Sequence, residues 1–206
     1  KYGIKQIGFY VESIEESAQR FRDLLGTGPF VDLGASEPAS LTYRGAPSGM
    51  RSRCALGHFG DMQIELIEVL TDESDVYKEL GHFGLHHLCI WSDDVDAVAA
   101  EFAAAGIEVA MDMTSGQGLH VMYFDAREQL GSYIEVNAPI EQLWQGVAAL
   151  AAVGGGAAWA AGRSGDDDAL KTLKVPENAV TAQTDLEEME NYEDAVTLAG
   201  SAKLPF

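Results

Sequence analysis

The chain has 206 residues, 47% of them hydrophobic and 22% charged, and its 13 Lys and Arg against 33 Asp and Glu give a formal net charge of -20. This composition excludes a disordered polymer, a collagen and a cysteine-stapled mini-protein, and leaves room for one substantial domain or two small ones. The charge repels phosphate backbones and anionic bilayers, and Lys and Arg are scattered singly, so a small-molecule partner is expected, with no nucleic acid and no membrane.

Taken in chain order, the sequence opens KYGIKQIGFY without a signal-peptide pattern, and a cytoplasmic location is the expectation. Residues 6–21 overlay residues 87–102 without a gap, each copy reading as a strand, a helix start and a helix. In the first copy Ile14, Ala18, Phe21 and Leu25 recur at helical spacing after Ser13, an N-cap, and Gly26 closes the helix. Short strands follow over about 29–33, 40–44, 50–56 and 62–70, punctuated by Gly45, Pro47, Gly49 and Gly60. In the second copy Val95, Val98, Ala99 and Phe102 follow Asp93 or Asp94, Gly106 closes the helix, and strands are expected over about 107–111, 119–124 and 132–137. Two tandem βαβββ modules, about 1–71 and 84–138, therefore make an α+β body over 1–140: a curved mixed sheet with helices on its outer face.

A C-terminal helix over 141–153 comes next. Its uncharged surroundings, 143–162, are mostly Gly and Ala without bulky residues or basic anchors, which argues against a membrane span. From 154 to 206 a Gly/Ala-rich linker leads into an acidic tail, for which disorder and one acidic helix over about 184–198 are both open. Ten acids and four bases from residue 154 onward give -6, so the body keeps -14 of the total -20. Cys54 and Cys89 are too few for a disulfide framework and lack metal-ligand spacing, so free thiols are expected.

The period of two along a strand sorts side chains by face. Ile7, Phe9 and Val11 suit the helix-packing face, which turns Gln6, Gly8 and Tyr10 the other way. Leu88 and Ile90 likewise put His87, Cys89 and Trp91 opposite, with His86 on the core side. Met62, Ile64 and Leu66 expel Glu65, and Ile134 and Val136 expel Glu135. Gln6, Glu65, His87 and Glu135 thus share one face, two on the first strands of the modules and two on the last. Buried polar groups need partners, and one divalent cation would satisfy an amide oxygen, an imidazole and two carboxylates together. Zn, Ni, Co, Mn and Mg are all admissible. Weaker candidates for substrate contact are Tyr10, Trp91, Met122 and His120, read as facing the same cavity, and Arg51 with Arg53, which would hold a carboxylate or phosphate. His58, His82 and His86 join no constellation, and Cys89 lacks the base and oxyanion hole of a nucleophile.

The repeated module, with GLHHLCIWSDDVDAV opening the second half and GSYIEVNAP closing it, resembles the vicinal oxygen chelate superfamily: glyoxalase I, methylmalonyl-CoA epimerase, extradiol dioxygenases and bleomycin-resistance proteins. The resemblance covers about residues 1–140 and lies nearest to glyoxalase I and the epimerase. It implies a metal held by Gln6, Glu65, His87 and Glu135. It also implies a lyase, isomerase or epimerase that moves a proton α to a carbonyl through a metal-bound enediolate, with Glu135 as base and Glu65 serving the opposite face. Homodimerisation is a further implication. A Gln, Glu, His, Glu set is similar to that of some glyoxalases I, whereas Gly-Leu-His86-His87-Leu looks more like the epimerase. The alternatives are a metal-free, drug-sequestering binding protein and an extradiol-type dioxygenase with an altered iron site, against which Gln6 argues.

Overall fold

The structure, a computed structural model, describes residues 1–35 and 38–152, so the expectations for the linker, tail and acidic helix lie outside the described residues. Its elements in chain order are β1 (Ile4–Tyr10), α1 (Ile14–Leu25), β2 (Val31–Ala35), β3 (Ser40–Tyr43), β4 (Ala46–Pro47), β5 (Ser52–Phe59), β6 (Met62–Val69), α2 (Val76–Glu79), β7 (Gly84–Trp91), α3 (Val95–Ala104), β8 (Val109–Thr114), β9 (His120–Phe124), α4 (Arg127–Leu130), β10 (Tyr133–Asn137) and α5 (Glu141–Ala152). The helices start where short polar side chains take up orphan amides: Ser13 accepts from the amide of Glu16, and Asp94 from that of Ala97.

The strands form one open mixed sheet in the order β2-β5-β6-β1-β7-β10-β9-β8-β3-β4. Its first four and next four strands repeat one plan. In each, the module's first strand lies parallel to its last (β1 on β6, β7 on β10), and the remaining two add antiparallel outward. The modules meet within one chain through the antiparallel pair β1 and β7. The repeat is broken by β3 and β4, first-half strands that cross over to the far end of the second module, where β3 pairs with β8 and β4 with β3. Because β2 and β8 stand far apart in the strand order while Leu33 and Met113 line one cavity, the sheet must curl around that cavity.

Three apolar clusters account for the two faces. Ile14 and Ala18 of α1 pack on Ala55, Ile64 and Leu66, while Val95 and Val98 of α3 pack on Ile90, Met122, Phe124 and Val136. The opposite, concave face carries the third cluster, in which Leu56, Ile67, Val121, Tyr123 and Tyr133 from both modules meet Val76 and Tyr77 of α2. Helices on the outer face describe α1 and α3, but α5 differs. Ile140 at its start, Leu143 and Val147 join the concave cluster, and the Trp144 ring meets His58 edge to face at 4.6 Å. Their i, i+3, i+7 spacing gives α5 an apolar stripe, and covering the concave side of β5 is how that stripe leaves water.

Two local features place the site. Gly8 pairs with both Glu65 and His87 in register, and a Cβ there would fall 1.8 Å from the His87 ring, so glycine is what lets the imidazole lie across β1. The register with β1 then slips: Gly8 faces His87 but Phe9 faces Leu85, which makes His86 the extra residue of a β-bulge. The bulge turns His86 towards the concave side, against the outer-side placement that strict alternation predicts.

Gly8→Ala should cost about 1–3 kcal/mol of unfolding free energy, as overpacking generally does, measured by denaturant titration. A neutral effect would mean that the His87 ring does not occupy that space.

Candidate metal centre

Glu65 from β6, His87 from β7 and Glu135 from β10 converge on the concave face, all of them buried, with one ligand atom from each lying within 4.8 Å of the others. His87 Nε2 stands 3.3 Å from Glu65 Oε2 and 3.1 Å from Glu135 Oε2. Neither His87 Nε2 nor Glu65 Oε2 finds a partner in hydrogen-bond geometry.

The proton inventory explains why. Val76 O lies 3.0 Å from His86 Nε2 and, being a carbonyl, can only accept, so His86 carries its hydrogen on Nε2. A neutral imidazole has only one N–H, so His86 Nδ1 is an acceptor, and His87 Nδ1, 3.1 Å away, must donate to it. In neutral His87, Nε2 is then a bare lone pair between two carboxylates. Neutrality of His86 is secured by burial and by the neighbouring His87, which hold it down to about 3. The ring is fixed by stacking on Tyr133, with centroids 4.8 Å apart and planes at 21°.

Three Lewis-basic atoms facing one another in a buried site require a cation or protons. Without a cation, His87 takes up a proton: burial pushes it down, but Glu135 and then Glu65 reverse that and raise it to about 9. The carboxylates differ. Glu65 is raised, first by burial and then by Glu135, against the opposing pull of His87 at 3.3 Å. Glu135 is lowered, because the His87 charge, with hydrogen bonds from His87, Tyr123 and Cys89, outweighs burial. Each carboxylate also has a thiol neighbour, Cys54 beside Glu65 and Cys89 with its Sγ 3.5 Å from Glu135 Oε1. Burial holds both thiols above their ordinary range, so they are neutral donors and not nucleophiles. The donor set therefore fits a divalent cation, with an imidazole nitrogen and carboxylate oxygens as its ligands.

Gln6 is buried on the same face, but its Nε2 donates to Gln63 Oε1 at 2.9 Å, and Gln63 Nε2 in turn faces His58 Nε2 at 3.3 Å. Only Gln6 Oε1 is left to offer a cation. Tyr10 packs against Phe83 and Tyr77, and Trp91 takes the Lys5 ammonium over its ring at 5.2 Å, so both are wall residues of the concave cluster and neither lines the cavity beside the carboxylates. Met122 and His120 are corrected outright. Met122 packs under α3, and His120 Nε2 bonds Asp112 Oδ1 at 2.9 Å, because in β9 it is Val121 and Tyr123 that face inward. Arg53 also lies on the outer side, engaged by Asp32 and Glu15, and Arg51 is exposed, so no anion-binding pair faces the site. Residues that the alternation reading left out do face it: His86 through the bulge, Tyr77 and Tyr123 with hydroxyls 3.3 Å apart, and Cys54.

A family model described as the Glyoxalase/Bleomycin resistance protein/Dioxygenase superfamily matches residues 5–124. No curated protein matches the chain. Among solved structures, a hypothetical protein from Bacillus halodurans aligns at a TM-score of 0.51 and 22% identity, over 69% of this chain and 97% of its own. A methylmalonyl-CoA epimerase from Mycobacterium tuberculosis aligns at 0.48 and 18%, over 68% and 90%. A variant of the Streptomyces coelicolor methylmalonyl-CoA epimerase, in complex with 2-nitronate-propionyl-CoA, aligns at 0.45 and 20%, over 66% and 96%. Likeness at these identities concerns the fold alone.

Two outcomes are expected of the isolated site. His86→Phe keeps a ring on Tyr133 but removes both nitrogens, and divalent-metal affinity measured by calorimetric titration should fall about 10–100-fold; unchanged affinity would refute the tautomer assignment. In metal-free protein, His87 is raised above its unfolded value of about 6.5, so its stabilisation is complete below that pH and lost as pH rises through about 9. The melting temperature of EDTA-treated protein should fall over that interval while the increment given by excess Ni2+ grows, and His87→Gln should abolish both trends.

Proposed function

The chain belongs to the glyoxalase/bleomycin resistance protein/dioxygenase superfamily, and from that premise we propose that it is a divalent-metal-dependent enzyme that moves a proton on the carbon α to a carbonyl, as an epimerase, isomerase or lyase. The observation that carries this reading is the Glu65, His87 and Glu135 group, with its His87 lone pair held between two buried carboxylates. These three residues would hold the cation, with Gln6 Oε1 as the remaining candidate ligand. The cation would act as a Lewis acid, favouring the negative charge that develops on a carbonyl oxygen when an α-proton leaves.

The chain's own residues would do the rest. Glu135, a buried carboxylate that the cation would keep ionised, would be the base that takes the α-proton. Glu65, which lines the same cavity from the first module, would serve the opposite side of the carbon. Tyr77 and Tyr123 line that cavity as neutral hydroxyl donors, since burial pushes both well above their usual range. Burial of all these groups excludes water, which strengthens each interaction and protects the carbanion-like species from adventitious protonation. A metal-free binding protein has no use for three facing acceptors in a buried site. An iron dioxygenase would want a second imidazole, and the Glu65, His87 and Glu135 group has only one.

Full-length protein should take up about one divalent ion per chain and, in D2O, exchange the α-hydrogen of at least one of three probes: methylmalonyl-CoA, the glutathione hemithioacetal of methylglyoxal, and hydroxyacetone. Glu135→Gln should slow that exchange about 100-fold or more, the range typical of a lost general base. Absence of metal uptake, or exchange that Glu135→Gln leaves unchanged, would contradict the reading.

A further inference from the structure

The cavity that opens beside Glu65 and Glu135 has a volume of about 40 Å³. At roughly 10–15 Å³ per water centre, this is the space of about three waters, enough for a carbonyl, its α-carbon and one small substituent. Its walls are of two kinds. Leu33, Met50, Met113 and Val121 supply apolar surface, and Ser52 with the two tyrosines supplies neutral hydroxyls. No Lys or Arg among the described residues lines it. The cations nearest in sequence to its wall are held elsewhere: Arg53 by Asp32 and Glu15, and Lys78 by the carbonyls of Thr71 and Glu73, while Arg51 is exposed.

We infer that this site is selective for small uncharged α-hydroxy- or α-oxocarbonyl compounds with an apolar substituent, and discriminates against the same skeletons bearing a carboxylate or phosphate. The inference rests on the metal-dependent reading proposed above and narrows its substrate. A divalent cation balances Glu65 and Glu135 and nothing more, because His87, whose Nδ1 donates to His86, would bind it through Nε2 as a neutral imidazole. A substrate carboxylate would enter as a third anion without a counter-charge, in a site where an unpaired buried charge is among the costliest arrangements. The field of the chain, at a net charge of -20, opposes its approach as well. A ketone or hydroxyl meets none of these penalties: the tyrosine and serine hydroxyls donate to it, and the methionines adapt to whatever aliphatic group it carries.

The test uses the full chain loaded with Co2+, whose visible absorption reports ligand entry independently of turnover. The probes are hydroxyacetone and hydroxypyruvate, which differ by a methyl group against a carboxylate. In water the carboxylate makes hydroxypyruvate the better chelator, so a reversed order has to come from the protein. Hydroxyacetone should perturb the spectrum at a concentration at least tenfold lower than hydroxypyruvate. Met113→Lys, and separately Leu33→Lys at the half-buried rim of β2, should narrow or invert that ratio by supplying the missing cation. Equal or tighter response to hydroxypyruvate in the unaltered protein would overturn the inference while leaving the metal centre standing, as would a Co2+ spectrum that neither probe perturbs. Failure to bind Co2+ at all would instead remove the metal-dependent reading and the inference with it.

Discussion

The concave face depends on one hydrogen-bond sequence: Val76 O accepts from His86 Nε2, and His86 Nδ1 accepts from His87 Nδ1. A backbone carbonyl cannot change its role, so the protons on His86 Nε2 and His87 Nδ1 are fixed, and His87 Nε2 is turned to the point where two carboxylates meet, to hold a cation or, in its absence, a proton. Everything around the sequence serves to hold it. Tyr133 stacks on His86 and donates its hydroxyl to Glu79, which is in turn locked by Arg44 and Arg127. An ionic network well outside the centre thereby restrains the ring that sets the tautomer of the residue inside it. Buried polar chains of this kind are worth having only when every member is satisfied, and here the one unsatisfied end is the end that would meet a cation.

The duplicated module explains how such a centre arises with so few special residues. Joining β1 to β7 antiparallel brings the parallel last strands β6 and β10 to flank the junction, so each module contributes one buried glutamate on equivalent terms, with a thiol beside each. The modules differ where the chemistry needs asymmetry. The first gives Gln6 where the second gives His87, and a side chain on Gly8, which faces His87 across the junction, would exclude the ring. The β3 and β4 excursion and α5 are likewise unpaired by the pseudo-symmetry, and both add to the concave cluster that surrounds the cavity.

Much of this was legible in the sequence, because alternation is a strong signal wherever one face of a strand is apolar. Ile64 and Leu66 fixed the phase of Glu65, and Ile134 and Val136 fixed that of Glu135. The same logic failed in β9, where Val121, Met122, Tyr123 and Phe124 are all buried and no alternation marks the inward pair. His120 and Met122 were misplaced together for that reason. It failed again at His86, since a bulge inserts one residue into the phase without leaving a mark in composition. Arg53 shows a third limit: a long side chain on a strand is equally at home in a cavity or in an outer ion cluster, and only the positions of Glu15 and Asp32 decide. Gln63 was in phase with Glu65 throughout and was hidden by attention to charge, although it is the residue that orients the Gln6 amide. The pairing of β3 with β8 joins positions more than sixty residues apart, and nothing local encodes it.

On the reading proposed above, the concave face presents His87 Nε2, together with Glu65 and Glu135, to a single divalent cation. Anomalous diffraction from crystals of the full chain loaded with Zn2+ tests it most directly. One strong anomalous peak is expected in contact with His87 Nε2 and both carboxylates, with His86 still bridging His87 Nδ1 to Val76 O. No peak at that place, or a peak bound through His87 Nδ1 with the His86 bridge broken, would contradict it.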